Sequence, residues 1–290
     1  MLNVTIFECD EYQLLTMAQS REIFAAESGK ALGAEIFGVD LSCQLDVATV
    51  SQIKNLLLKH LVLVFRNQDI TPEQQANFAR RFGSLQRHDY VQGLPGQPDV
   101  IEIRKEAHHV QNFGGTWHSD NSYLPNPPLG SILHALEIPN EGGDTLWANQ
   151  YLAYENLPGD LKRQIATLFA VHSASAAFGS MRRVDAEVSH GTHEVVHPLV
   201  RTHPETKRKS LFHSGACTIR LKDQTIDESK PLLDCLIAHA TRDEFTFRHR
   251  WRRHDVVFWD NRCTMHHAVN DYAGKLRIVH RVSIEGSVPF

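Results

Sequence analysis

His118 and Asp120 stand two positions apart in a run bounded by Gly114-Gly115 and by Pro125. If that run is extended, side chains alternate with period 2, and an imidazole and a carboxylate point into the same space. Such a pair is two thirds of the two-histidine, one-carboxylate facial arrangement, which leaves three coordination positions open and suits non-haem iron(II). The third donor must come from elsewhere, so the fold has to bring a distant histidine across this segment. With 18 histidines and 34 acidic residues in the chain, an isolated H-x-D arises easily by chance. Taken alone it is a polar pair on a strand. Its weight depends on what accompanies it near the far end of the sequence.

The bulk composition narrows the classes. At 290 residues, 42% hydrophobic and 22% charged, the chain is an ordinary globular protein with enough length for a large core. A net charge of −4 offers no global attraction to nucleic acid or to an anionic membrane. The five cysteines, Cys9, Cys43, Cys217, Cys235 and Cys263, are widely spaced and form no C-x-x-C, which argues against a disulfide framework or zinc ribbon and for a reducing, cytoplasmic setting. Met1 to Ser20 has no cationic start followed by an apolar run, so it does not read as a secretory signal. No window of about 18 uninterrupted apolar residues suggests a membrane span.

Local patterning predicts helices in the first third and many short strands after it. Ala31–Leu41 reads as a bent strand, and Asp46–Leu61 places Val47, Val50, Ile53, Leu57 and Leu61 at helical spacing. Val62–Phe65 is a compact strand. Thr71-Pro72-Glu73-Gln74 carries a cap, a proline at the first helical position and a capping-box glutamine, predicting a helix to about Phe82. Strands are expected at Val100–Arg104, around the H-x-D motif, from Ser131, from Thr145 after the Gly142-Gly143-Asp144 turn, at Val256–Trp259 and at Leu276–Ile284. Helical patterning is read at Leu152–Glu155, Asp160–Phe169 and Lys230–Ala240. Leu199–His203 and Ser210–His213 form a hairpin. Phe245, Phe247, His249 and Trp251 alternate with Arg248, Arg250 and Arg252, as in a strand with one inward face. Residues 174–196, which include Arg182, Arg183, His190 and His193, lose the pattern and read as an active-site lid. The expected fold is a mainly β domain with helical cover, a jelly roll or double-stranded β-helix of cupin type, spanning residues 1–290.

The candidates for the missing donor are His266 and His267, in Trp259-Asp260-Asn261-Arg262-Cys263-Thr264-Met265-His266-His267-Ala268. Adjacent residues of an extended segment face opposite ways, so at most one can complete the site. Further on, Arg277, Val279, Arg281 and Ser283 share a strand face. Two inward guanidiniums need an anionic partner, either a structural carboxylate or a carboxylate ligand.

Taken together, His118-x-Asp120, Gly142-Gly143-Asp144-Thr145-Leu146-Trp147, Trp259-Asp260-Asn261-Arg262, His266 and Arg281 resemble the taurine and 2,4-dichlorophenoxyacetate dioxygenase family. These are iron(II)- and 2-oxoglutarate-dependent oxygenases on a double-stranded β-helix, and the likeness runs from about Leu32 to Ile284. It implies that His118, Asp120 and His266 hold Fe(II). It also implies that Thr145 and Arg281 grip the distal carboxylate of 2-oxoglutarate, with Arg277 near its other end, and that O2 is consumed. The implied reaction hydroxylates a small organic acid, a sulfonate or carboxylate such as a taurine-like or aryloxyalkanoate-like molecule, releasing succinate and CO2. His88 matches an anion-binding position of the taurine-specific members. Where those members carry a tyrosine three residues later, this chain has Val91 with Tyr90 beside it, and Cys217 and Asn112 stand near two further pocket positions.

Other readings of the same residues are a zinc-dependent hydrolase and a non-catalytic cupin-type protein that binds a small acid. A nucleic-acid oxygenase is disfavoured by the acidic charge balance. Assembly as a homo-oligomer is left open.

Overall fold

The computed structural model describes residues 23–179, 184 and 194–290. The first third holds β1 (Phe24–Glu27), β2 (Ala34–Phe37), α1 (Val47–His60), β3 (Val62–Phe65), α2 (Pro72–Arg80), β4 (Leu85–Gln86), β5 (Gly93–Leu94) and β6 (Gln97–Lys105). Asp46 caps α1 by accepting the Thr49 N–H at 2.7 Å. Thr71 and Gln74 close a capping box around Pro72, as the sequence predicts. The strand β1 was not legible, because its four residues lack alternation and owe their conformation to pairing with β2.

The middle comprises β7 (Gly130–Glu137), β8 (Thr145–Asn149), α3 (Gln150–Glu155), α4 (Gly159–Ile165), β9 (Phe169–Ser173), α5 (Ala174–Phe178) and β10 (Glu194–Pro198). The helix expected over Asp160–Phe169 ends at Ile165, and Phe169 instead opens β9 opposite Pro198. Of the expected lid, Ala174–Phe178 is helix and Glu194–Pro198 is strand. Arg182, Arg183, His190 and His193 lie outside the described residues.

The last third contains β11 (Val200–Thr202), β12 (Lys209–Leu211), β13 (Thr218–Leu221), α6 (Ile226–Ala240), β14 (Thr246–His249), β15 (Val256–Asp260), β16 (Thr264–Ala268) and β17 (Arg277–Ile284). The β11–β12 hairpin forms where expected. Helix α6 starts a turn earlier than Lys230, at a second capping box made by Thr225 and Glu228. Pro231 therefore lies inside the helix, where it lacks the N–H that would bond the Asp227 carbonyl.

A nine-stranded sheet runs β1-β2-β3-β15-β7-β17-β6-β5, with β4 on β17, and a three-stranded sheet runs β14-β8-β16. Alternation on β15 explains how they stack. Val256 and Phe258 turn toward Ile53 and Leu57 of α1 and Phe78 of α2. Val257 and Trp259 turn the other way, onto Trp147 and Phe247 of the small sheet. The architecture is mainly β, two facing sheets with α1 and α2 outside the larger and α3, α4 and α6 packed around Met265 of the smaller, consistent with the expected jelly roll. The Phe245–Trp251 alternation also holds: Phe247, His249 and Trp251 are buried while Arg248, Arg250 and Arg252 are exposed.

Candidate active site

The space between the two sheets is where the sequence motifs meet. The H-x-D segment is not a full strand. His118 forms a single antiparallel bridge with His266, their backbones exchanging hydrogen bonds of 2.9 and 2.7 Å, and Asp120 begins a turn. That bridge sets the two imidazole centroids 4.1 Å apart. His267 faces the opposite way and lies on Trp117, which decides between the adjacent histidines.

Asp120 is held from behind. Ser131 Oγ donates to its Oδ2 at 2.8 Å and Asn261 Nδ2 to the same oxygen at 3.3 Å, while Asn261 Oδ1 accepts from Trp259 Nε1 at 3.0 Å. The other oxygen, Oδ1, lies 3.8 Å from His118 Nε2 and 3.7 Å from His266 Nε2. Thr116 O lies 2.6 Å from His118 Nδ1 and accepts a hydrogen bond from its N–H, which keeps the ring proton on Nδ1 and leaves Nε2 with its lone pair. Burial lowers the pKa of both histidines, so the rings are neutral. Burial alone would raise the Asp120 carboxyl, but the Arg281 guanidinium and the Ser131 hydrogen bond hold it well below the usual carboxylate range. Two neutral imidazoles and one carboxylate with donor atoms within 4.8 Å of one another fit a divalent ion that takes nitrogen and oxygen ligands.

A second group, His203, Asp260 and Cys263, is equally close, yet its chemistry is different. Arg262 occupies both Asp260 oxygens, at 2.9 and 2.6 Å, and His203 adds a third contact at 3.1 Å. Burial pushes the Cys263 thiol well up. This is a satisfied structural ion pair.

Beside the triad an inner crevice is lined by Leu133, Thr145, Trp147, Trp259, Arg277 and Arg281. The two arginines of this crevice have different surroundings. Arg281 is the one at the triad, its Nη1 2.9 Å from Asp120 Oδ1, with Nε and Nη2 unpartnered. Arg277 is the one that shares Trp251 with Thr145: its guanidinium stacks over the Trp251 ring at 5.6 Å, and Trp251 Nε1 donates to Thr145 Oγ1 at 2.9 Å. Strand rise explains the difference, because four residues of β17 separate the two cations by roughly 13 Å.

The crevice opens into a cavity of about 580 Å³ whose lining includes His88, Asn112, Phe113, Phe178, Cys217 and Arg281. His88 is buried rather than on the surface. Its Nδ1 accepts from the Tyr90 and Val91 N–H groups at 3.1 Å each, which places the remaining proton on Nε2, and Nε2 has no partner among the described residues. Burial and then Arg281 lower its pKa to about 3, so it is a neutral donor. Tyr90 does not line the cavity and instead stacks on Phe178 at 4.5 Å. Asn112 spends its amide on the Ala268 carbonyl at 2.9 Å, tying its loop to β16. Cys217 is buried, and burial pushes its thiol up to about 11.

Sequence reasoning missed Ser131, Trp251, Phe113 and Phe178, and gave Asn261 no task. Trp251 had a signal, its inward place in the alternating run. The supports of Asp120 had none, since only sheet register brings β7 and the turn after β15 beside it.

The fold and site together define a class, facing-sheet proteins with a two-histidine, one-carboxylate centre and buried arginines beside it. The model of the taurine catabolism dioxygenase TauD, TfdA family matches residues 25–283, and the chain belongs to that family. It is 39% identical over 267 residues to the alkylsulfatase of Acinetobacter baylyi, covering 89% of this chain and 83% of that one. It is 35% identical over 286 residues to the alpha-ketoglutarate-dependent sulfate ester dioxygenase of Pseudomonas putida, covering 95% and 94%. The crystal structure of AAD-2 in complex with Mn(II) and N-oxalylglycine superposes with a TM-score of 0.80 at 31% identity, covering 92% of this chain and 99% of that one.

Proposed function

We propose that the protein is an Fe(II)- and 2-oxoglutarate-dependent dioxygenase that hydroxylates a small organic acid, with a sulfate ester or sulfonate as the leading substrate class. His118, Asp120 and His266 hold the metal. Thr145 and Arg277 take the far carboxylate of 2-oxoglutarate, and Arg281 faces its metal-proximal end. The observation that carries this reading is the crevice itself: two buried arginines with unpartnered nitrogens flank a neutral-imidazole and carboxylate triad. Family membership and a neighbour solved with an analogue of 2-oxoglutarate support it.

When bound, iron(II), 2-oxoglutarate and O2 together supply the oxidant that hydroxylates the substrate, and 2-oxoglutarate leaves as succinate and CO2. The protein positions and encloses. Ser131 and Asn261 fix the Asp120 carboxylate, and the Thr116 carbonyl fixes the His118 tautomer. Leu133, Trp147 and Trp259 keep water out of the crevice. His88 Nε2 and Arg281 offer donors to an acidic head group in the outer cavity. Hydroxylation of the carbon that bears the acid gives a product that collapses to an aldehyde and the free inorganic anion.

No helix among the described residues is long and apolar enough to cross a membrane. Cys43, Cys217, Cys235 and Cys263 are free thiols, which supports the cytoplasmic reading. A zinc hydrolase would leave Thr145, Arg277 and Arg281 without a task, and a silent cupin-type binder of a small acid would form no succinate. Anaerobic addition of iron(II) and 2-oxoglutarate should give a visible charge-transfer band, and aerobic incubation with an alkyl sulfate or sulfonate should release succinate. Protein that retains zinc, shows no band and forms no succinate would overturn the proposal.

A further inference from the structure

Ile101, Ile103 and Lys105 occupy alternate positions of β6, and Ile103 lines the inner crevice, so Lys105 continues the inward face. Its partner in the β6–β17 register is Arg277. Side chains directly opposed on an antiparallel pair stand on the same face with Cβ atoms about 4.5–5.5 Å apart. The two cationic side chains therefore leave neighbouring strands on one face, Arg277 lining the crevice and Lys105 beside it, one strand further out.

Both are buried, Lys105 at 4% and Arg277 at 6% exposure. Lys105 Nζ and Arg277 Nε have no hydrogen-bond partner, and neither residue makes an ion pair among the described residues. Lys105 Nζ lies 4.4 Å above the ring of Tyr272, itself buried, so an aromatic floor supports the ammonium without neutralising it. Two like charges buried together without an anion are costly. A ligand carboxylate arriving between them would remove that cost.

We infer that Lys105 is a co-substrate-selecting residue which, with Arg277 and Thr145, holds the far carboxylate of a 2-oxo diacid and discriminates against 2-oxo acids that lack it. The inference rests on the 2-oxoglutarate reading above. It adds a third group to the far end of the site and assigns it selectivity rather than packing.

The test is calorimetric titration of the Mn(II)-loaded protein with N-oxalylglycine, which carries the far carboxylate, and with 2-oxopentanoate, which does not. Lys105→Met should weaken N-oxalylglycine binding roughly tenfold or more, the scale of one hydrogen bond to a charged group. Binding of 2-oxopentanoate should be unchanged, and Lys105→Arg should keep the preference for the diacid. Lys105→Gln provides a second neutral variant if the methionine form fails to fold, with the unfolding midpoint of each ligand-free protein as the check. A neutral variant that binds N-oxalylglycine like the parent, or that loses both ligands equally, overturns the role of Lys105. A parent protein that binds neither ligand overturns the co-substrate reading, and the role of Lys105 with it.

Discussion

Arg281 Nη1 lies 2.9 Å from Asp120 Oδ1, so a buried cation rests on the same carboxylate oxygen that faces His118 and His266. Arg277, on the same strand face, makes no ion pair among the described residues and stacks on Trp251. On the proposed reading the two guanidiniums meet opposite ends of one dianion, which separates their mutant phenotypes.

Arg277→Gln should raise the KM for 2-oxoglutarate about tenfold or more with a small change in kcat at saturation, the pattern of lost uniform binding. Arg281→Gln should raise the KM for the acidic substrate as well. Steady-state kinetics against each reactant separates them. A silent Arg277→Gln beside a large 2-oxoglutarate defect in Arg281→Gln would restore the arrangement expected from sequence.

Asp120→Ala removes the oxygen donor and leaves Arg281 without its partner. Bound metal after dialysis should fall from about one per chain to near zero, and succinate formation should drop by more than the roughly 10–100-fold typical of losing a supporting hydrogen bond. Full metal retention would show that the triad is not the metal centre.

His88→Leu removes the neutral Nε2 donor while keeping a side chain of similar reach. The KM for the acidic substrate should rise about tenfold. Succinate formed without substrate should stay within about twofold of the parent protein, because the change lies outside the inner crevice. An unchanged KM would assign His88 to the cavity wall alone.

Several buried histidines make stability depend on pH. Burial lowers His134, His197 and His213 to about 4, against 6.5 when unfolded. In each case the unfolded chain binds the proton more readily, so stability is complete above about 6.5 and is lost as pH falls from there toward 4. Asp260, held below the usual range against burial by Arg262, loses its contribution only below about 3.8 and does not offset this. Urea midpoints of the metal-free protein should decline steadily between pH 7 and pH 5. A flat profile would contradict the burial of these rings.

Asp260→Ala should act on folding rather than on the metal. It leaves Arg262 and His203 buried without their shared carboxylate, a loss of about 3–5 kcal/mol. Whatever protein remains folded at low temperature should still bind one metal ion per chain. A drop in metal stoichiometry with normal stability would make the second cluster an ion site after all.

Much of this protein could be read from neighbouring residues. The capping box at Thr71, the inward face of Phe247, His249 and Trp251, and the hairpin at Val200–Leu211 depend on chemistry within a few positions. Readings failed where the deciding contact was remote. Phe169 is a strand because β10 pairs with it. The early start of α6 is the exception, a local signal passed over: Thr225 and Glu228 form a capping box three residues apart, and it outweighs the usual exclusion of Pro231 from a helix interior.

The sequence by itself determined the alternating faces, the caps and the inventory of donors, because backbone period and side-chain chemistry are local properties. The family resemblance already singled out His266; only the tertiary structure decided that Ser131 and Asn261 steady Asp120 and that Arg277 shares Trp251 with Thr145. Those choices depend on sheet register and on depth between two facing sheets. Both are set by hydrogen bonds among strands that lie far apart along the chain.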